Sequence, residues 1–456
     1  MKLFVWHCLA ISSIFAVLAV HAETRPQYGS TLRVAMRAAP ASLNPADATE
    51  PDSFARRNLT FLIFDTLVAV ESSGQVRPSL ATSWDASSDK KRWQFHLRKG
   101  INFHDGSALT PEAAASSLRA ANPSWNISVH SDLVIIEREN SDSEMPAELA
   151  LPRNAITKQT GDGLPVGTGP FHVVDWQRGK KLTLAAEENY WRGRPFLDGI
   201  EIEMGIGYRD QMTALELGKA DFVEVPPEQI HRVSLQGRPV ASSAPVELVA
   251  LVFARDAKSP EEKMLRDILA LSIERGSIRN VLLQGAGQPT ASILPTWMSG
   301  YGFVFPTDAD LARARRERNQ VSSIPTWTLG YDSSDPMTQL LAERIALNAK
   351  DAGLLMQPTS SSTADVRLAR IPLFSVDPWL ALSACAAAAG LPSPQSQGGS
   401  VEELYTAETA VLATQHLVPL FHLPMFYATA STVESWSLRP DGVWRLDDVW
   451  LGSVKP

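Results

Sequence analysis

The residues best equipped for chemistry in this chain are a few histidines, scattered carboxylates and two glycine-rich turns. Seven histidines follow residue 22, and two of them, His416 and His422, stand six apart across the helix-to-strand change at Pro419. Zinc sites combine several ligands at tight spacing, so this pair alone is read as packing. His96 alternates within a strand pattern and His104 sits in the turn-like "FHDG". No Gly-x-Ser-x-Gly elbow, Gly-x-x-x-x-Gly-Lys-Ser/Thr loop or His-Glu-x-x-His motif occurs, which removes the commonest hydrolase, nucleotide and zinc-protease readings. "GIGYRD" lacks the third glycine of a dinucleotide fingerprint. "VGTGPF" leads into a strand pattern rather than a helix, so no helix N-terminus is there to hold phosphate. Asp and Glu elsewhere read as surface carboxylates. Catalysis, a cofactor and a metal are therefore not expected.

These groups sit in a chain of 456 residues that is 44% hydrophobic and 20% charged, enough apolar content for a large core and two to four domains. Lys and Arg total 42 against 50 Asp and Glu, a net charge of −8. A nucleic-acid partner normally demands a basic face, so none is expected. Lys2 precedes the apolar run "LFVWHCLAISSIFAVLAV", and Val20-His21-Ala22 follows. A basic start, an apolar stretch and small residues before the cut describe an export signal over residues 1–22. The product is expected to be exported and soluble. Cleavage would remove Cys8 and leave Cys385 alone in "LSACAAAAG", so no disulfide is expected.

The elements that must position any site alternate between strand and helix. "TLRVAM" reads as an early strand, followed by the proline-bearing loop "PASLNPAD". "RWQFHL" alternates again, and "TPEAAASSLRAA" begins with Thr110 as N-cap and Pro111 in the first turn. Between Asn122 and Leu164 only "LVIIE" reads as a clear strand. "FHVVDW", "KLTLAAEE" and "GIEIEM" are strands, "RDQMTALEL" is a helix closed by Gly218, and "DFVEV" completes a strand–helix–strand unit. A second lobe begins near "ELVALVFA" and carries helices around Met264–Ser272, "MTQLLAERIALNAKDAG" and "VEELYTAETAVLATQHL", with strands at "TWTLGYD" and "LFHLP". Residues 390–400 read as an exposed loop, and Trp297 in "LPTWMSGYG" as core.

Several blocks together resemble the bacterial extracellular solute-binding proteins of family 5, the peptide- and nickel-binding components of ABC importers. They are "FDTLVAVESSGQVRPSLATSWDASSDKKRWQFHLRKGINFHDGSALTPE", "VGTGPF", "NYWRGRPFLDGIEIEM", "LELGKADFVEVPP", "LRDILALSIERGSIRNVLLQGAGQP" and "VPLFHLP", in the family's order across residues 29–452. The resemblance implies an α/β, two-lobed periplasmic-binding-protein fold of the large peptide-binder type. Mapped here, the first lobe comprises residues 23–47, 166–244 and 432–456, an inserted and trimmed subdomain 48–165, and the second lobe 245–431. It implies a monomer that captures a peptide or other small solute between its lobes and docks on a permease and ATPase complex. A sensing module of the same fold, uncoupled from transport, is the alternative.

The family's peptide binders line the cleft with Gly-Trp-x-Ala-Asp-Tyr-x-Asp-Pro, whose first Asp pairs with the peptide's α-amino group. Aligned on Asp377-Pro378, this chain reads "RIPLFSVDP", with Phe374 at that Asp, Ser375 at the Tyr and Ile371 at the Trp. A buried ammonium without its carboxylate loses a strong bond, so an uncharged, N-blocked, glycosidic or stacked ligand is expected. By the same resemblance Ser42 and Leu43, in the loop after the first strand, and Phe374, Ser375 and Trp379, in the second lobe, are the candidate ligand contacts. Tyr190, Trp191, Arg192 and Arg194 in "NYWRGRPF" are read instead as a structural clasp, with Gly193 permitting the bend.

Overall fold

The computed structural model describes residues 25–49, 53–71, 75–159, 164–394, 399–439 and 441–452. The export signal expected over residues 1–22, with Cys8, lies outside these, as do residues 395–398 of the expected loop. Among the described residues no helix is long and apolar enough to cross a membrane.

One mixed sheet runs through the molecule. Its strands lie in the order Phe171–Gln177, Lys181–Ala186, Gly199–Glu203, Thr31–Ala35, Phe222–Glu224, Leu417–Thr429, Val240–Phe253, Val366–Pro372, Thr326–Gly330 and Leu355–Thr359. In the first lobe Thr31–Ala35 pairs in parallel with both Gly199–Glu203 and Phe222–Glu224. Parallel neighbours require a crossover, supplied by the helix Tyr208–Glu216, and Gly218 turns out of it at φ 65°. Leu32, Val34, Ile200, Ile202 and Phe222 are buried in one core.

The insert folds around its own core. Ala81–Ala86, Arg92–Leu97, Leu133–Glu137 and Asn126–His130 form an antiparallel sheet, with the helix Pro111–Ala121 packed into the same cluster. Thr110 caps that helix by accepting from Ala113 N. The strand Asn126–His130 escaped the sequence pattern because it is an edge strand, with Ile127 its one fully buried side chain.

In the second lobe both sheet faces are covered, which explains why "ELVALVFA" is continuously apolar rather than alternating. Val249, Leu251 and Phe253 point into one core with Leu265, Ile268 and Leu341. Leu248, Ala250 and Val252 point into another with Leu382, Cys385 and Leu404. The helix Pro378–Ala388 was not anticipated, since its alanine-rich run carries almost no amphipathic signal. Burial raises the Cys385 thiol to about 12, so it behaves as a small apolar side chain.

Two strands join the lobes. Val240–Ser242 pairs with Phe426–Ala428 on the first-lobe side, and Glu247–Val252 with Leu417–Leu423 on the second-lobe side. Between them the register breaks where Pro245 faces Pro424. Neither proline can donate to a ladder. The side chain of Ser243 substitutes, accepting from Met425 N at 2.9 Å and donating to Ala244 O at 2.6 Å. Trp297 is not core: 39% of it is exposed, and its indole N–H donates to Pro245 O at 2.8 Å. The carbonyl freed by the break finds its partner in that indole.

The glycine-rich "VGTGPF" has a steric explanation. Gly169 N donates to Ile63 O at 3.0 Å, and a Cβ on Gly169 would lie 2.5 Å from the Ile63 carbonyl carbon. The turn thus receives the last carbonyl of the helix Phe54–Ile63. Gly169→Ala should destabilise the protein by about 1–3 kcal/mol through overpacking, read as a lowered urea midpoint with an unchanged slope.

His416, just before the strand Leu417–Thr429, and His422, within it, do not converge on one ligand. His416 Nδ1 lies 3.1 Å from Asp256 Oδ1, whereas His422 Nε2 is 2.9 Å from Ile293 O inside the lobe. Among the described residues no group of three or more His, Cys, Asp or Glu could hold a metal. Burial lowers the His422 pKa from 6.5 to about 4. The unfolded chain therefore binds the extra proton first, and stability falls as pH drops from 6.5 toward 4. Denaturant titrations should show a loss on the order of 3 kcal/mol across that window, and His422→Gln should flatten it.

Candidate functional site

The site is built on the helix Phe54–Ile63, which Ser53 caps by accepting from Arg56 N. Two consecutive arginines leave this helix in different directions. Arg56 Nη2 donates to Asn44 O at 2.9 Å, Pro45 O at 3.0 Å and Asp47 O at 2.6 Å. It thereby clamps the loop whose prolines prevent regular structure. Arg57 Nη2 donates to Asp441 Oδ2 at 2.6 Å, and Arg57 Nη1 donates to Phe374 O of the second lobe. Arg439 Nη2 also reaches Asp441 Oδ2, at 2.9 Å. Burial opposes ionisation of Asp441, but the two guanidiniums overcome it and hold its pKa below the usual carboxylate range. Phe54 and Phe374 meet edge-on with centroids 5.3 Å apart.

A second set of charges also spans the lobes. Arg370 donates to Glu247 Oε2 at 2.6 Å and Asp335 Oδ2 at 2.8 Å, and Arg37 of the first lobe lies 3.7 Å from Asp335. Burial disfavours the Arg370 cation, yet Glu247 and Asp335 leave its pKa raised.

Beside the Arg57–Phe374 contact lies a cavity of about 520 Å³. Its first-lobe wall is Pro45–Ala48 with Arg56 and Thr60. The insert contributes Ala121, Leu151, Pro152 and Arg153. The second lobe contributes Phe374, Ser375 and one face of the helix Pro378–Ala388, with Leu380, Ser383, Ala384 and Ala387 at i, i+3, i+4 and i+7. Most of this lining is apolar or small. Its charges differ in how far they are committed. Arg56 is occupied by loop carbonyls. Asp47 Oδ1 accepts from Thr49 N and Oγ1, and these bonds lower its pKa. Arg153 pairs with Glu148 at 2.6 Å, and half of its side chain stays accessible.

Of the residues singled out by alignment, Phe374 and Ser375 line the cavity. Ser375 Oγ accepts from Asp377 N at 3.0 Å, fixing the turn into the helix. Ser42 Oγ accepts from Asn44 N at 3.2 Å and stands just ahead of the lining segment. Leu43 is buried in the first-lobe core and the Trp379 indole in the second-lobe core. Arg153, Asp47 and the small-residue face were not singled out. The spacing of Leu380, Ser383, Ala384 and Ala387 was the available signal, but in an alanine-rich helix it does not stand apart.

"NYWRGRPF" clasps the first lobe to the insert. The buried Asp65 accepts from Trp191 Nε1 at 2.9 Å and Tyr190 OH at 3.2 Å. Arg192 Nη2 donates to Ser79 Oγ at 2.8 Å. Arg194 donates to Glu188 and Asp198, and Gly193 bends the chain at φ 106°.

The match to bacterial extracellular solute-binding proteins, family 5 Middle, covers residues 75–372. Protein XP55 of Streptomyces lividans is 25% identical over 67% of this chain and 64% of its own length. The probable D,D-dipeptide-binding periplasmic protein DdpA of Escherichia coli (strain K12) is 22% identical over 74% of this chain and 71% of its own. The chain thus spans about two thirds of the length of these curated relatives. Among solved structures, the periplasmic binding protein DppA from Helicobacter pylori in complex with peptide STSA superimposes with a TM-score of 0.79 at 20% identity, over 94% of this chain and 99% of that one. A sheet shared by two lobes, a cavity lined by both and a family match over most of the chain agree: this chain belongs to the bacterial extracellular solute-binding proteins of family 5.

Proposed function

We propose that the protein is the periplasmic solute-capturing component of an ABC importer, exported by the signal over residues 1–22 and acting as a monomer. The helix Phe54–Ile63 shares the first-lobe core and Tyr427–Thr429 pairs with Phe222–Glu224, which supports moving the boundaries expected at 48 and 431: the first lobe comprises residues 23–64, 166–244 and 425–456, the insert 65–165 and the second lobe 245–424. The ladder break at Pro245 and Pro424 supports a hinge at the second boundary. The observation that carries the reading is the cavity between Pro45–Ala48, Arg153 and Phe374–Ser375. A solute that fills it favours the closed form by its differential affinity, and the closed form docks on the permease.

The lining narrows the solute. Phe374 replaces the carboxylate that would hold an α-ammonium, and the acid on the opposite wall, Asp47, already accepts two hydrogen bonds from Thr49. Arg153 supplies accessible cationic donors, and Phe374 and Leu380 an apolar wall. A small solute with a carboxylate and an apolar body, without a free α-ammonium, fits this pattern. That sets it apart from the peptide bound by the Helicobacter pylori protein.

Calorimetry should show N-acetylated dipeptides binding more tightly than free ones. Phe374→Asp should reverse that order, and Arg153→Gln should weaken the N-acetylated ligands by about tenfold. Free dipeptides favoured tenfold by the unaltered protein would refute the solute class. If no peptide, sugar or metal-chelate panel binds and small-angle scattering shows no closure, the capture reading fails altogether.

Arg57 meets Phe374 O across the lobes. Arg57→Met should therefore shift the equilibrium toward the open form, seen as a larger radius of gyration with bound solute and an apparent affinity weakened about tenfold.

A further inference from the structure

A second cavity, of about 550 Å³, opens beside another face of the Phe54–Ile63 helix. Its walls come only from the first lobe, the insert and the segment Leu438–Asp447, so the second lobe takes no part in it. In a chain of net charge −8, five of its lining residues are arginines: Arg77, Arg98, Arg192, Arg439 and Arg445. Three lining carboxylates, Asp65, Glu71 and Asp447, oppose them.

Arg439 is matched by Asp441 at 2.9 Å, and among the described residues Arg98 and Arg192 make no ion pair. Asp65 is occupied by the Trp191, Tyr190 and Thr168 donors, and burial raises its pKa, weakening it as a counter-charge. Glu71 is taken by Arg77 at 3.2 Å. Arg98 is anchored by Nε to Ser79 O and Arg192 by Nη2 to Ser79 Oγ, both neutral acceptors. The two guanidiniums lie 5.0 and 4.4 Å from the Trp191 ring centre. The remaining Arg98 donors have no protein acceptor among the described residues, and Arg445 has only Asp448, at 3.7 Å. Such an arrangement holds guanidiniums in position without neutralising them, beside an aromatic plane.

We propose that this cavity is a binding site for a small organic anion, with anionic oxygens held by Arg98 and Arg192, a flat body beside Trp191, and Arg77 and Arg445 at the rim. Because the site lies within the first lobe and insert, it fills without lobe closure and is separate from solute capture.

The test titrates the purified full chain, at low salt, with benzene-1,3,5-tricarboxylate, adenosine monophosphate and inorganic phosphate, following heat and tryptophan fluorescence. At least one ring-bearing anion should bind more tightly than ~1 mM. Response to the tricarboxylate alone assigns a carboxylate ligand, and response to the nucleotide alone a phosphate ligand. Arg98→Gln should weaken binding at least about tenfold. Because Arg98 also packs on Trp191, the double variant Arg77→Gln/Arg445→Gln, at two half-exposed positions, should show a loss of the same sign at an unchanged melting temperature. Arg153→Gln should leave the response intact. No saturable response to any of the three anions would overturn the proposal. So would binding that survives both sets of arginine changes but disappears in Arg153→Gln.

Discussion

The antiparallel ladder between Val240–Phe253 and Leu417–Thr429 is the constraint on which the molecule depends. Each strand gives one half of its length to each lobe, so neither lobe completes its sheet without segments more than 160 residues apart in the chain. The backbone must satisfy its donors and acceptors in both halves at once. Where it cannot, at the facing prolines 245 and 424, Ser243 and Trp297 take over two of the freed groups. The break lies between the first-lobe and second-lobe halves of the ladder. Bending there would break few ladder hydrogen bonds, because side chains already replace them.

The inter-lobe cavity follows from that architecture. The loop after Val366–Pro372 leaves the sheet just beyond the crossing, which brings Phe374 against the first-lobe helix. Arg57 meets Phe374 O there, while Asp441 and Arg439 compensate its charge from within the first lobe. A buried guanidinium without Asp441 would be costly. With it, Arg57 can present a donor to the second lobe at little expense. Arg56, one residue earlier, uses the same chemistry to hold the loop that forms the opposite wall.

Legibility differed between elements and site. "TLRVAM", "RWQFHL", "KLTLAAEE" and the strand–helix–strand unit ending in "DFVEV" were readable because period and capping residues agree with their burial. Asn126–His130 and Pro378–Ala388 were not, one an edge strand with little apolar content, the other a helix of alanines. Trp297 was read as core because an aromatic side chain gives no sign that its N–H is wanted by a distant carbonyl. At the cavity, alignment found Phe374 and Ser375, which share a wall with Leu380, but offered nothing for Arg153 on the facing insert.

By itself the sequence determined the family and the two-lobed α/β class, and by resemblance it pointed to Phe374 where the peptide binders carry an Asp. Each of these is written in local pattern or in residue identity at an aligned position. Only the tertiary structure decided which groups share a space. Leu43 and Trp379 turn into the two lobe cores, Arg153 faces Phe374 across a cavity, and five arginines from four separate stretches of chain meet around another. The physical reason is that a side chain's direction is set by the element beneath it and by the packing of both lobes together. No window of neighbouring residues contains that information.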